Sequence, residues 1–385
     1  MYRLLQHKKA RSWALQSLVL LVSLGLTVSF VVIARENLLS QGIATGFGFL
    51  ERSTGWPINF ALIEVTDRSP YWRMLLAGLL NTLLVGLLGL TFATLFGVFV
   101  GLLRISSNLI LNIIGTTYVE IFRNVPLILQ AFFWYAVLTH LPSPRSAISI
   151  GEVIFVSNRG LILPALNFPL LDVLLLGLGA VAIVFGALQI KKHSSRAAPY
   201  VWPASAALLV LLFLLLLLTG RSPDSPLVTF PELRGLRFRD GFDIKPEFSA
   251  LLIAITVFGA AYIGEIVRGG LLSVDRGRIE AGRALGLRNF RINQLIRIPL
   301  AVRAMLPALA NQYVWLMKAT TIGIAIGFPD YFMVVSTSIN QSGQTIELLA
   351  LLMLGFLLIN YSIGFFMNRV NSRLEIKGKG PLVDG

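Results

Sequence analysis

Four charged side chains stand inside otherwise apolar stretches of this 385-residue chain and could carry chemistry, namely Glu120, Arg123, Glu265 and Lys318. If such a stretch crosses a bilayer, a charge in it costs about 2.5–3.5 kcal/mol, so it needs an opposite charge or a ligand. Glu120 and Arg123 lie three residues apart on one predicted helix and can pair with each other. A second interpretation gives both residues a part in gating or in substrate contact.

Lys318 is followed by the hydroxyl residues Thr320 and Thr321. Its ammonium group could pair with one of the two acids named above or attract a carboxylate from a ligand. Glu265 lies close to the end of its apolar stretch and could instead meet Arg268, which is three residues further on. All of these residues are candidates for a substrate path or a gate.

Metal and thiol chemistry are not indicated. The chain has no Cys, and its three His, at positions 7, 140 and 193, lie far apart in sequence. Neither a disulfide nor a Cys-bound metal is therefore possible, and we predict no metal site.

Long apolar runs must position the candidate residues. Of all residues, 55% are hydrophobic and 14% charged, and the mean hydropathy is +0.76. A bilayer core of about 30 Å is crossed by about 20 apolar residues. We predict an all-α polytopic membrane protein of about eight transmembrane helices. The expected spans are 14–34, 76–103, 113–139, 170–189, 201–219, 248–267, 306–327 and 346–367.

The basic residues give these spans an orientation. A net charge of +14 is typical of nucleic-acid-binding proteins, but here the positive charges fall on alternate loops. With the N-terminus inside, 20 of the 33 Lys and Arg are inside and 11 are outside. This bias follows the positive-inside rule and predicts that both termini are cytoplasmic. The first apolar run is long for a signal peptide and has no A-x-A site, so we expect it to be retained.

A basic segment at 275–305 lies between two late spans, on the predicted cytoplasmic side. Its apolar residues follow helical spacing and predict two short amphipathic helices. Gly286 suits a left-handed helix end, Asn289 could cap the second helix, and Pro299 should end or kink it. This segment contains seven Arg, at 276, 278, 283, 288, 291, 297 and 303.

Within this hairpin, the sequence resembles the EAA loop of ABC-importer permeases. The pattern is E-A-A, three residues, G, nine residues, then I-x-L-P. It is matched here by Glu280, Ala281, Gly282, Gly286, Ile296, Ile298 and Pro299. Gly282 replaces an Ala of the pattern, and Ile298 replaces a Leu.

Three further blocks are similar to permeases for polar amino acids, such as histidine and glutamine importers. They are YVEIFRNVPLILQ at 118–130, AYIGEIVRGGLLSVDRG at 261–277 and NQYVWLMKATTI at 311–322. Asn124 and Val125 stand where that family usually has Gly and Thr. The extra spans resemble the long permease of general L-amino-acid importers.

The resemblance implies an ABC importer type I permease core of five helices, extended by an N-terminal helix and a two-helix insertion. The implied divisions are 1–75 (tail, first helix and external loop), 76–140 (first core segment), 141–247 (insertion), 248–372 (second core segment, with the hairpin at 275–305) and 373–385 (cytoplasmic tail).

The resemblance also implies a function and partners. Such a permease works in the bacterial inner membrane with ATPase subunits, a second permease and a periplasmic amino-acid-binding protein. The implied ATPase-coupling residues are Glu280, Ala281, Gly282, Arg283, Gly286, Ile296 and Pro299. This chain has no GxxxxGK[ST] phosphate loop, so we expect it to bind no cofactor itself, with ATP and Mg held by the partner ATPase. Glu280 could alternatively serve as a charge near the positive end of its helix.

Other residues carry structural expectations. Asn81 and Thr82 should form hydrogen bonds between helices, and Pro126 should kink its span. The run at 206–220 has no polar residue until Thr219, so we expect it to face lipid.

Three other classes of protein are alternatives to the ABC permease. An ion-gradient-driven amino-acid transporter should show internal repeats, which we do not detect. A membrane-embedded enzyme should carry convergent His, Asp or Cys in its spans, which the sequence lacks. An assembly or sensor component would not transport at all, and co-purified subunits would distinguish it.

Overall fold

The computed structural model describes residues 8–40, 46–166, 198–219, 226, 228–235 and 237–374, with short stretches between 176 and 190. Its α-helices, numbered along the chain, are α1 Lys8–Ser40, α2 Tyr71–Arg104, α3 Leu109–Asn124, α4 Leu127–Thr139, α5 Ala198–Thr219, α6 Pro246–Leu272, α7 Arg276–Ala284, α8 Asn289–Ile292, α9 Ile298–Ala319, α10 Tyr331–Ser342 and α11 Thr345–Leu374. Short 3₁₀ helices cover Phe47–Glu51, Pro144–Ser146 and Thr320–Ile326, and a π-helical turn covers Asn293–Arg297.

Four of these helices are long and apolar enough to cross a membrane: α1, α2, α6 and α11. Two bent pairs, α3 with α4 and the segment Asn289–Ile326 with α10, bring the number to six if each pair is one span. These six fall on six of the predicted spans, in the same order. The predicted span 201–219 coincides with α5, and 170–189 lies largely outside the described residues. The predicted class, a helical polytopic membrane protein, is confirmed.

Short strands form a feature that the sequence analysis did not predict. The strands are β1 Ile148–Ile150, β2 Ile154–Ser157, β3 Gly160–Leu163, β4 Ala165–Leu166, β5 Val228–Thr229, β6 Glu232–Arg234, β7 Arg237–Arg239 and β8 Phe242–Ile244. Four of them form an antiparallel sheet in the order β1-β2-β3-β8. Strand β8 ends at Ile244, and α6 begins two residues later, so the sheet lies at the start of α6.

Helices α2 and α6 pack closely because glycines of α2 face branched residues of α6. A Cβ at Gly97 would lie 2.7 Å from the Cβ of Ile263, and one at Gly101 would lie 2.7 Å from the Cβ of Val267. Small residues are the usual means of bringing two membrane helices into such contact. Val100 and Ile263 are buried beside them. This contact holds Arg104, the last residue of α2, beside the C-terminal part of α6, where Glu265 lies.

The other end of α2 is held by buried polar side chains. The Asn81 amide donates to the carbonyl oxygens of Phe60 and Pro329, both at 2.9 Å. The Thr82 hydroxyl accepts from the backbone N–H of Tyr331 at 2.9 Å. The predicted bond between helices is therefore confirmed at Thr82, whereas Asn81 bonds to two segments outside the helices.

Pro126 marks a break, as predicted, and the break is larger than a kink. Helix α3 ends at Asn124, and α4 leaves it at an angle of 101°. Proline cannot donate a backbone hydrogen bond, so the carbonyls before it need other partners. The amide of buried Gln130 supplies one, donating to Phe122 O and Val125 O at 3.0 Å each.

Helices α1 and α5 expose their apolar side chains. None of the apolar window in α1 is buried by the described residues. In α5, Leu208, Val210 and Phe213 are each about half exposed, which agrees with the expected lipid-facing position.

Candidate functional site

The basic hairpin begins with α7, directly after α6. Gly286 adopts φ +75°, the left-handed conformation that the sequence predicted. Its N–H donates to Arg283 O at 2.9 Å, and the Leu287 N–H donates to Gly282 O at 3.1 Å. These two bonds are those of a Schellman motif, which ends a helix and reverses the chain.

The two arms of the hairpin meet at Gly282. This residue is buried, and a Cβ there would lie 2.9 Å from Ile296 Cδ1 and 3.3 Å from Ile292 Cγ1. The glycine that departs from the EAA pattern therefore lets the arms approach. Because a fixed turn and an apolar contact join the arms, the hairpin is a folded unit rather than a loose loop.

Three details of the predicted hairpin are wrong. Asn289 does not cap α8, because Arg288 occupies the N-cap position without a side-chain bond and Asn289 is already helical. Of the two alternatives predicted for Pro299, an end to the helix is wrong, and a kink stays a prediction. The π-helical turn before Pro299, in which Ile298 N–H donates to Asn293 O, leads into α9 without a break in the helix. Glu280 is the fifth of nine residues in α7, beyond the first turn where a negative charge would favour the helix dipole.

The outer surface of the hairpin combines charge with exposed apolar side chains. Leu285 is 81% exposed, Phe290 74% and Leu295 58%. Glu280 and Arg283 are exposed on α7. Large apolar side chains in this arrangement mark a surface for another protein. Ala281 is also exposed, whereas Ile296 and Pro299 are half-buried.

The second candidate element is a charge network in which one carboxylate forms ion pairs with three guanidinium groups. Glu265 forms ion pairs with Arg104, with Arg268 at 3.2 Å and with Arg123 at 3.8 Å. The Arg104 side chain is 8% exposed, whereas the other three side chains are 34–39% exposed. One acid beside three bases leaves the network two positive charges in excess.

This network confirms one sequence prediction and overturns another. Glu265 does meet Arg268, as expected. Arg123 does not pair with Glu120; it reaches across to α6, where it meets Glu265 and lies 5.1 Å from the ring centroid of Tyr262. Glu120 is exposed, and no described residue forms an ion pair with its carboxylate.

Arg104 is the member of the network that sequence reasoning missed. Because it is the last residue of an apolar run, its sequence position is that of an ordinary loop charge. The available signal was its position at the end of a glycine-containing helix that packs on the helix of Glu265.

A cavity of about 380 Å³ opens beside the network, at the break between α3 and α4. Its lining includes Arg123, Pro126, Tyr262 and Trp315. The rings of Phe258 and Trp315 stack with centroids 5.3 Å apart. These aromatic residues could not be identified from the sequence, because single aromatic residues in an apolar span give no local signal.

Lys318 lies in the last turn of α9 and is exposed. It forms no ion pair with any residue that the structure describes, so the expected pairing with Glu120 or Glu265 is wrong. Thr320 and Thr321 bond their hydroxyls to the carbonyls of Met317 and Lys318, both at 2.9 Å. Among these three candidates, only the ammonium group of Lys318 lacks a partner in the described structure.

A multi-span helical bundle with charges between its helices and a folded basic hairpin at one end defines a polytopic membrane permease. The chain belongs to the family of binding-protein-dependent transport system inner membrane components, whose sequence profile matches residues 93–376. The resemblance inferred from the EAA pattern is thereby confirmed.

Full-length relatives share the long form. The chain is 38% identical to the "putative amino-acid ABC transporter permease protein YhdX" of Escherichia coli K12, over 95% of this chain and 94% of that protein. It is 34% identical to the "general L-amino acid transport system permease protein AapQ" of Rhizobium johnstonii, over 96% of this chain and 93% of that protein. A crystal structure of an amino acid ABC transporter with histidines is similar over 79% of this chain and 95% of that chain, with 19% identity and a TM-score of 0.47.

Proposed function

We propose that this chain is the permease subunit of an ATP-dependent importer that moves L-amino acids, polar or of broad range, from the periplasm to the cytoplasm. Two relatives that match nearly its whole length bear names of amino-acid ABC permeases. The chemistry of the cavity at the helix break agrees with this substrate class. A guanidinium beside aromatic rings can bind a carboxylate while apolar walls contact a side chain.

The energy for transport enters through the hairpin. The chain lacks a phosphate loop, so ATP and Mg are bound by partner ATPase subunits, and this chain is not itself an ATPase. Exposed Leu285 and Phe290 supply an apolar contact, and Glu280 and Arg283 supply charges around it. The folded hairpin is the single observation on which this proposal depends most, because a stiff unit attached to α6 can transmit a displacement to the membrane helices.

The same proposal sets the orientation and the other partners. The hairpin and both termini lie in the cytoplasm, in agreement with the 20 to 11 distribution of basic residues. The sheet at the other end of α6 then faces the periplasm and the amino-acid-binding protein. A second, similar but non-identical permease completes the membrane portion of the complex.

The substrate path uses the charged residues between the helices. Arg123, beside the cavity, and Lys318 are the two candidates for attracting the substrate carboxylate. Glu265 holds Arg123 in place, and exposed Glu120 is available for the substrate ammonium. The hydroxyls of Thr320 and Thr321 are bonded to backbone, so these residues shape the end of α9 rather than contact the substrate.

Reconstitution tests the coupling. The complete complex, in proteoliposomes with the loaded binding protein, should hydrolyse ATP and take up amino acids. Glu280→Lys reverses an exposed charge on the hairpin, and Gly286→Val forces a β-branched residue to φ +75°. Both variants should insert normally but lose uptake per ATP hydrolysed. Glu232→Lys, an equal charge reversal on the sheet, is the matched control and should stay coupled.

Normal coupling in both hairpin variants would refute the proposal. The proposal would also be refuted if uptake proceeded without ATP and stopped when an ion gradient was dissipated. That is the behaviour of a secondary transporter.

A further inference from the structure

A second cavity, of about 650 Å³, lies at the end of α6 opposite the hairpin. Helix α6 has 27 residues, so about 40 Å separates its two ends. The cavity is walled by the sheet region, by the last turns of α4 and by the first turn of α6. It is therefore separate from the charge network and from the cavity at the helix break.

The walls of this cavity are firmly built. Gly160 adopts φ +126°, and any side chain there would collide with the carbonyl oxygen of Ile244 in the neighbouring strand β8. The rings of Phe155 and Phe238 lie 4.6 Å apart and join the β6–β7 hairpin to the sheet. Arg237 and Asp243 therefore lie on paired strands, whereas Arg159 and Asp240 lie in turns beside them.

Two acceptor atoms at this cavity are buried without a partner among the described residues. One is Glu247 Oε2, whose companion Oε1 accepts a bond from the Tyr135 hydroxyl at 3.5 Å. The other is Asn158 Oδ1. Buried acceptors nearly always receive a hydrogen bond, so each of these atoms can accept one from a molecule bound in the cavity.

Cationic groups line the same cavity. Arg159 and Arg237 are exposed and form no ion pair with a described residue. Lys245 is neutralised by an ion pair between its Nζ and Asp243 Oδ2. With Asp240 and Glu247 the lining holds three acids and three bases, a balance that contrasts with the chain's net charge of +14.

We propose that this cavity is a binding site for a free amino acid outside the membrane path. The α-ammonium group has three donors and would meet Glu247 and Asn158. The α-carboxylate would meet Arg159 and Arg237, since guanidinium groups suit carboxylates. A volume of about 650 Å³ lies within the range of small-molecule sites and leaves room for side chains of different size.

The inference rests on the proposed function for its substrate class, but its residues lie in the insertion and its flanks rather than in the transport path. A concave site with buried acceptors favours a small ligand over a flat protein contact. The site would hold substrate at the mouth of the permease.

Equilibrium binding to the complete transporter tests this site. The complex is placed in lipid nanodiscs without nucleotide or binding protein, and labelled L-glutamate, L-glutamine and L-histidine are added in turn. Glu247→Gln and Arg237→Gln should each raise the Kd at least about tenfold, the effect of losing one charged contact. The matched control Glu232→Gln removes an acid that is 64% exposed on β6 and should leave the Kd unchanged. The corresponding 2-keto acids and amines, each lacking one charged group, should not compete.

Several outcomes would overturn the inference. The first is that none of the three amino acids binds at millimolar concentration. The second is that both variants bind them as tightly as the wild type does. The third is that the variants alter only the affinity for the binding protein, which would make the cavity a docking surface. If Glu247→Gln fails to assemble, exposed Arg237→Gln carries the test. Amino-acid uptake by cells that lack the chain is a separate readout: normal uptake there would refute the proposed function, whereas impaired uptake with unchanged variant binding would refute only the cavity site.

Discussion

Replacing Glu265 by Gln should destabilise the protein more than replacing any one of its three arginine partners. The variant leaves Arg104, with a side chain only 8% exposed, as a charge without a counterion. Removing one partner of a buried ion pair costs about 3–5 kcal/mol of unfolding free energy. Because Glu265 itself is 34% exposed, we expect the lower end of that range, about 3 kcal/mol.

Of the arginine variants, the one at Arg104 should lower the free energy of unfolding more than the one at Arg268. Arg104→Gln leaves Glu265 with two guanidinium partners, so its cost is that of charged hydrogen bonds, about 1.5–3 kcal/mol at most. Arg268→Gln removes a partner that is 38% exposed, and such pairs contribute about 0–1 kcal/mol. The free energy of unfolding of each variant can be measured by SDS titration in mixed micelles.

A result in which Arg268→Gln costs as much as Glu265→Gln would refute this reasoning, because it would mean that burial of Arg104 carries no weight. A neutral Glu265→Gln variant would refute it as well. Raising the salt concentration is a further control, since screening should reduce the effect of Arg268→Gln more than that of Glu265→Gln.

Two further predictions concern helix packing. Gly97→Val places methyl groups against Ile263 and should cost about 1–3 kcal/mol or more, measured as a lower denaturation temperature of the purified complex, whereas Gly269→Val, where no atom lies within 4 Å, should be tolerated. Asn81→Ala leaves two backbone carbonyls without their donor and should cost about 1–3 kcal/mol by the same assay; Asn124→Ala, which loses one bond to its own exposed helix, is the control and should cost less than about 1 kcal/mol.

Local structure could be predicted from the sequence wherever one residue determines the conformation. Gly286 adopts the left-handed turn and Pro126 breaks its helix, because neither outcome depends on distant partners. Thr82 forms the expected bond to another helix, and Asn81 forms buried bonds to two segments outside the helices, but neither set of partners could be named in advance.

Partners that come from distant segments could not be inferred. Glu120 and Arg123 have the right spacing to pair, but Arg123 forms its ion pair with Glu265 on another helix. The strands were missed because they are only two to four residues long. Neighbouring strands form some of the pairings, but β3 and β4 pair with distant segments, as when Ile162 pairs with Asp243 and Ala165 with Thr229. Asn289 is a residue type that favours the N-cap position, yet Arg288, one residue earlier, occupies that position.

The close contact between α2 and α6 limits how this protein can change shape. With Gly97 against Ile263 and Gly101 against Val267, neither helix can slide or turn against the other without driving a branched side chain into backbone. The two helices must then travel as one rigid body. Alternation between a state open to one side and a state open to the other therefore has to occur at the joints around that body, foremost the 101° corner at Pro126.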